Sequence, residues 1–325
     1  MTVLSTYPTA TRRTNPRNRR ACNLIIAKIV KKGVALFQPM RYTRGRTTKQ
    51  GEPNENQRKI HSNRVNYLGK VSIMDYHKRP EWSYSQMKVL LDSGIDYAVA
   101  IKQGLFKQTF GSAVDLGQLV HHKVLGGSNN IFAFSPYDNF RTKEAQTWKS
   151  QQLANDLYVI TKEQSDEADK IVANILAHPH HKKYLGHPKA LYEQELFATV
   201  NGIKLRGKGD VIVPDEESAL VIDLKTTAQF DKFFRNAIYM HYDLQSSTYG
   251  LVTASSLKLD KNLVQPVFCV AETVEPYRVQ YMTAGFEFIE SGDNKLHKCL
   301  EAIKAFGDKK PTFLLEDIKE LGDWS

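Results

Sequence analysis

The 325-residue sequence predicts an α/β fold in which helices flank a central sheet, and three observations carry that expectation. Between residues 83 and 306 the apolar spacing switches between the period of a helix and the period of a strand. Asn201-Gly202 separates two strand-like runs and is the strongest short hairpin signal in the chain. A further apolar run, Leu220-Val-Ile-Asp-Leu224, follows a polar turn carrying Pro214, so three strands succeed one another as a meander.

Taken in order, residues 83–103 read as one helix, with Ser83 or Ser85 as its cap ahead of Met87, Leu90 and Leu91. A second helix runs over 112–125 and stops at Gly126-Gly127. Residues 128–160, with Pro136 and the Arg141-Thr-Lys143 cluster, read as an irregular connection. Residues 163–177 place Ala168, Ile171, Ile175 and Leu176 on one side of an amphipathic helix, which His178-Pro-His-His181 breaks. Strands are expected over 193–200, 203–213 and the Asp223 run. A helical region over 229–251 follows, then strands over 265–275 and 277–282, and a long helix over 285–306. There is no internal repeat.

With 41% hydrophobic residues the chain can bury a substantial core. Cys22, Cys269 and Cys299 are few, odd in number and far apart, which excludes a disulfide framework and a four-thiolate iron–sulfur cluster. No apolar run approaches a membrane span. Charge is uneven: residues 1–70 hold 16 Lys and Arg against Glu52 and Glu55, a net +14, and residues 71–325 are net −4. The division expected is a basic, poorly ordered extension over 1–70, able to touch phosphate without specificity, and one catalytic domain over 71–325. The same Arg- and Thr-rich start is compatible with a targeting segment, or with an upstream stretch ahead of a natural start near Met74.

Asp210 and Asp223-Leu224-Lys225 carry the chemistry. Strand side chains alternate, so Asp223 and Lys225 share one face and Leu224 points to the other. If the strands close over residues 214–219, Asp210 comes to lie opposite Asp223. Two facing carboxylates repel unless a cation lies between them, and hard divalent ions prefer carboxylate oxygen. A lysine beside such an ion can orient or deprotonate a water, which suits metal-assisted hydrolysis of a phosphodiester. The same charges on a wet strand would form only a weak surface pair. Val221, Ile222 and Leu224 argue instead for a covered, central strand.

Neighbouring polar residues extend the cluster. Glu193 and Glu195 share a strand face, and a turn at Asn201-Gly202 sets Glu193 opposite Asp210; the two acids either join a metal shell or are exposed carboxylates. Arg206 and Lys208 share a strand face with Asp210, positioned to meet a phosphate or to balance the acids. Gln245 and Tyr249 stack on one helical face, either satisfying each other or supporting the site. Arg235 and Lys232 follow on the next helix. His121 shares a face with Val114, Gly117, Val124 and Leu125, ordinarily the setting of a core histidine, whereas His122 turns toward Asp115 and Leu119. Gly117 permits close approach of another segment. His178, His180, His181 and His187 lack the Cys or acid that would complete a zinc set.

In order along the chain, Asp210, Asp223-x-Lys225 and Gln245-x-x-x-Tyr249 resemble the core of the PD-(D/E)XK nuclease superfamily. The similarity is greatest to RecB-like nuclease domains and RecE-type, exonuclease VIII-like phage proteins. Met74-Asp-Tyr-His77 with Ser83-Tyr-Ser85-Gln-Met-Lys88, Leu116–Leu125, Tyr192-Glu-Gln-Glu195 and Ala271–Tyr277 resemble further stretches of that subgroup. The resemblance spans roughly 74–290. It implies a restriction-endonuclease-like core with a central mixed β-sheet flanked by helices. It also implies Mg²⁺ as cofactor, with Mn²⁺ able to substitute, held by Asp210, Asp223 and the Leu224 carbonyl, with His121 and Glu193 assisting. Lys225 would orient the attacking water, Gln245 would steady the lysine or the DNA backbone, and Tyr249 would support Gln245. Arg206, Lys208 and Arg235 would contact DNA.

The implied activity is 5′→3′ exonucleolytic degradation of linear double-stranded DNA in recombination or DNA processing, in the cytoplasm of a bacterium or phage-infected cell. A single-strand annealing protein and a ring-shaped homo-oligomer are the implied partners. A DNA endonuclease on the same core, or a non-catalytic nucleic-acid-binding module, is the alternative.

Overall fold

The computed structural model describes residues 76, 79–105, 112–126, 131–309 and 311. The basic extension over 1–70, and Met74, Asp75 and His77 of the opening motif, lie outside the described residues.

Strand β1 (Trp82–Ser83) leads directly into helix α1 (Tyr84–Ser93). Ser83, rather than Ser85, is the cap. Its hydroxyl accepts from the Gln86 amide while the Gln86 side chain accepts from the Ser83 amide, a reciprocal capping box. The single helix expected over 83–103 is two, because Gly94 at φ +93° turns the chain before α2 (Ile95–Lys102). Helix α3 (Ser112–Leu125) ends at Gly126 as its sequence indicates.

The expectation of an irregular connection over 128–160 is corrected by the structure. It contains β2 (Phe132–Phe134), α4 (Lys143–Ala154) and β3 (Tyr158–Ile160), with β2 and β3 paired in parallel as a separate two-stranded sheet. Three-residue strands are too short to show alternation. Helix α4 buries only Ala145 and has no apolar stripe; its readable signal is Thr142, which caps Ala145. Helix α5 (Lys162–Ala177) opens with a Thr161–Gln164 capping box and buries Ala168, Ile171 and Ile175, but Leu176 is exposed.

The hairpin of β4 (Leu191–Val200) and β5 (Ile203–Pro214) closes at Asn201 and Gly202, both with positive φ, as a two-residue turn of this kind requires. Strand β6 (Ala219–Thr227) returns beside β5. The helical region expected over 229–251 is split at His241, φ 59°, into α6 (Phe233–Tyr239) and α7 (Tyr242–Leu257). Strands β7 (Val264–Glu272) and β8 (Val279–Thr283) and helix α8 (Phe286–Phe306) complete the described fold.

The main sheet is six-stranded and mixed, in the order β1-β5-β6-β7-β8, with β4 on the other edge of β5. Strands β1 and β5 run parallel, as do β6 and β7; the β4–β5, β5–β6 and β7–β8 pairs are antiparallel. One face packs on α3 and α5 through Leu119, Ile171, Val211, Ile222 and Leu224. The other packs on α1, α2, α7 and α8 through Met87, Leu205, Ile212, Leu244 and Leu300. Residues on β6 and β7 are buried almost without interruption, as in a parallel pair covered on both faces.

Candidate active site

The β5–β6 ladder ends at Val211 opposite Ile222, and the next pair in register is Asp210 and Asp223. The two carboxylates therefore sit where the strands part. Asp210 Oδ2 accepts the Leu224 amide at 2.8 Å, so a side chain replaces the ladder partner that β6 loses there. Asp223, 6% exposed, accepts from Gln245 Nε2 through Oδ1 at 2.7 Å. Its Oδ2 stands 2.6 Å from Lys225 Nζ, an ion pair that lacks the alignment of a hydrogen bond. Leu224 points into the opposite core, as alternation requires.

Helices reach this point from both faces of the sheet. From α3, His121 Nδ1 lies 3.7 Å from Asp210 Oδ2. Gly117, one turn earlier, lets α3 close on β6: a Cβ there would stand 2.9 Å from Thr226 Oγ1. From α7 come Gln245 and, one turn on, Tyr249, which packs where Gly207 of β5 leaves room. Tyr242 is a member that sequence reasoning missed. Its ring lies 4.6 Å from Lys225 Nζ, and the signal was available, because Tyr242 precedes Gln245 by three residues on one helix.

Electrostatics mark the pair as short of positive charge. Burial, opposed by His121 and reinforced by Asp223, pushes the Asp210 carboxyl up to about 6. Burial lowers the Lys225 ammonium, but Asp223, Tyr242 and Asp210 outweigh it and the net shift is upward. Lys225 is thus held charged. Burial, with the Asp223 charge next, puts the Tyr249 hydroxyl well above its usual range, and a hydrogen bond with Gln245 only partly opposes this.

Glu193 lies in register opposite Asp210, in the left-handed region at φ 54°, and forms an ion pair with Lys208. A non-glycine residue held there stores about 1 kcal/mol or more of strain. The β4–β5 ladder skips the Glu193–Asp210 pair and keeps the same register on both sides of it, but the facing changes: Ile203, Leu205 and Ile212 enter one core and Val211 and Val213 the other. This twist overturns the expectation that Arg206 shares a face with Asp210. Arg206 is 3% exposed, stacks at 4.7 Å on the Tyr76 ring and donates to the Tyr76 carbonyl. It is a packing residue, not an open phosphate contact. Lys208 stays beside Asp210 and Glu193 in a cleft of about 670 Å³ lined also by Gln118, His121 and Gln194. Glu195 sits opposite Lys208 on the same cleft. Arg235 and Lys232 are exposed on and just before α6.

Among the described residues, no three His, Cys, Asp or Glu side chains already stand as a ligand set. The donors nevertheless suit a hard divalent ion. Asp223 Oδ2 has no well-aligned donor, and the Asp210 carboxyl is raised by removal from water and, further, by the second carboxyl that faces it. The carboxylates of Asp210 and Asp223, the Leu224 carbonyl and the His121 imidazole would hold such an ion, with Glu193 next to them.

The comparisons bear on the fold and the family. No curated protein matches the chain. A crystal structure from Eubacterium rectale, described provisionally as an exonuclease, aligns with a TM-score of 0.51 at 13% identity, covering 85% of this chain and 97% of its own. At that identity it speaks for the fold. The structure of SSO0001 aligns at a TM-score of 0.24 and 14% identity over 59% of this chain and 88% of its own, too low to carry an argument. The profile of a PDDEXK-like domain of unknown function (DUF3799) matches residues 83–312, most of the chain and all of the cluster described above. The chain belongs to that PDDEXK-like family and has the fold of the PD-(D/E)XK nuclease superfamily.

Proposed function

We propose that the protein is a divalent-metal-dependent deoxyribonuclease that shortens linear double-stranded DNA from its 5′ ends. The observation that carries the reading is the triad of Asp210, Asp223 and Lys225, with Asp223 buried, at the point where β5 and β6 part, steadied by Gln245. Mg²⁺, or Mn²⁺ in its place, held by Asp210, Asp223, the Leu224 carbonyl and His121, would supply charge stabilisation at the phosphate and a more acidic water.

The chain's own groups supply the rest. Lys225, its ammonium held by Asp223 and the Tyr242 ring, orients the attacking water and offers positive charge to the developing phosphorane oxygens. In the metal-free site its shift is upward, which keeps the ammonium form, and the role we assign it is electrostatic. Gln245 fixes one Asp223 oxygen, so the other stays directed at the reaction centre. Tyr249, half-buried one turn beyond Gln245, limits the rotamers of that amide. Lys208 and Arg235 are the residues we assign to the DNA backbone. Arg206, buried on Tyr76, is withdrawn from that role.

The end requirement and the 5′→3′ direction, the ring oligomer and the annealing partner rest on the resemblance to RecE-type proteins. Digestion of linear and covalently closed circular duplex, side by side in Mg²⁺, tests them. The expected result is loss of the linear DNA with release of mononucleotides and survival of the circle. Discrete internal fragments from the circle would assign the chain to endonucleases instead.

A further inference from the structure

Helix α6 and the turn behind it expose apolar surface that nothing among the described residues covers. Phe233 and Ala237, four residues apart, are buried against Phe268 and Tyr242. The rest of the helix therefore faces outward: Phe234 is 73% exposed and Tyr239 81% exposed, with Ile238 and Met240 also exposed. Arg235 precedes Tyr239 by four residues and lies on the same row of the helix.

Two further facts say what this surface suits. The segment 232–242 contains no acid but holds Lys232 and Arg235, in a body that is net −4 over residues 71–325. The acids at its borders are neutralised, Asp231 by Arg278 at 2.9 Å and Asp243 by Lys295 at 2.8 Å. A cationic, aromatic strip in an otherwise acidic body is complementary to a polyanion with flat apolar faces. The strip also adjoins the reaction centre. Tyr239 is three residues before Tyr242, so their Cα atoms are within about 11 Å, and the Tyr242 ring lies 4.6 Å from Lys225 Nζ.

Resting on the nuclease reading of the site, we propose that Phe234 and Tyr239, at opposite edges of the exposed side of α6, each stack an unpaired base of the DNA strand being cut and so form a platform, with Arg235 between them on its phosphates. Aromatic faces accept any base, so the platform holds a strand without reading its sequence. It would keep a freed strand beside Lys225 between successive cuts. Both rings are largely in water, so their truncation removes little packing and leaves the fold intact.

The test uses the full-length chain in EDTA, where binding is read without cleavage, and two short labelled strands: oligo-dT and an abasic strand of equal length. The double variant Phe234→Ala/Tyr239→Ala is expected to weaken oligo-dT binding by about thirtyfold or more. Its affinity for the abasic strand should stay within about twofold of wild type, because no phosphate contact is lost. Tyr239→Trp should keep oligo-dT affinity, and Arg235→Ala should lower the salt slope by about 0.7. Equal losses on both strands, or no loss on oligo-dT, would overturn the platform. So would a changed oligomeric state by light scattering with unchanged DNA affinity, which would assign the surface to a second copy. None of these results depends on cleavage. A platform that fails beside an active Mg²⁺-dependent enzyme removes this inference alone, and an inactive enzyme with an intact platform removes the catalytic reading alone.

Discussion

Asp223 and Asp243 are both buried aspartates with a lysine ammonium close by, Lys225 at 2.6 Å and Lys295 at 2.8 Å, and they differ in what else surrounds them. Asp243, 0% exposed at the start of α7, is saturated. Oδ1 accepts from the Leu244 amide and Lys295, and Oδ2 accepts from Ser291 Oγ at 2.6 Å and stands 2.8 Å from Lys295 Nζ. Asp223 has Gln245 on one oxygen, an unaligned ammonium on the other, and the Asp210 carboxyl facing it. A saturated pair locks two helices together. A pair short of donors, next to a second carboxyl, retains capacity for another cation. The difference separates a structural ion pair from one kept for chemistry.

The largest effect that would sharpen this contrast is on cleavage. Asp223→Asn or Asp210→Asn should reduce the Mg²⁺-dependent rate on linear duplex by about a thousandfold or more, with a native circular dichroism spectrum. Near-wild-type cleavage by either variant would break the contrast at once. Asp243→Ala should act instead on stability, costing about 3 kcal/mol or more in denaturant unfolding, because it leaves Ser291 without its Asp243 acceptor and Lys295 with only the Ile238 carbonyl and no counter-charge. Gly292→Ala probes the same contact from α8. A Cβ there would run into the Asp243 carbonyl and stand 2.7 Å from Ser247 Oγ, so a loss of about 1–3 kcal/mol is expected.

A smaller effect concerns pH. The Asp210 carboxyl is raised to about 6 from an ordinary 3.8, so the native state holds its proton more tightly than the unfolded chain does. In metal-free protein this group costs nothing below about pH 4 and lowers stability as pH rises from about 4 to 6, by up to about 3 kcal/mol. Asp210→Asn removes that penalty. The variant should melt higher than metal-free wild type at pH 7, and the gap should close toward pH 4. A constant gap would mean that neither burial nor Asp223 raises the Asp210 carboxyl.

Much of the site was readable because it lies on local signals. Asn201-Gly202 set the β4–β5 register, the Pro214 turn aligned Asp210 with Asp223, and the spacing of four stacked Gln245 over Tyr249. Gly117 announced the close approach of α3 to β6. What was misread depends on tertiary context. Period-two reasoning carried Arg206 to the wrong face because both hairpin strands change facing at Glu193 and Asp210, a twist visible only in three dimensions. The breaks at Gly94 and His241 interrupt otherwise continuous helical patterns. Helix α4 has no apolar stripe to read, and β2 and β3 are stabilised by each other, not by their own alternation.

The central claim is that Lys225 serves chemistry while Lys295 serves packing. Single-turnover cleavage of linear duplex at saturating protein and Mg²⁺, measured for Lys225→Ala and Lys295→Ala and divided by the folded fraction of each, tests it most directly. The account predicts that Lys225→Ala loses about a thousandfold or more in rate with its unfolding midpoint kept. Lys295→Ala should stay within about tenfold of wild type in rate while its midpoint falls. Comparable rate losses in the two variants, or wild-type cleavage by Lys225→Ala, would contradict it.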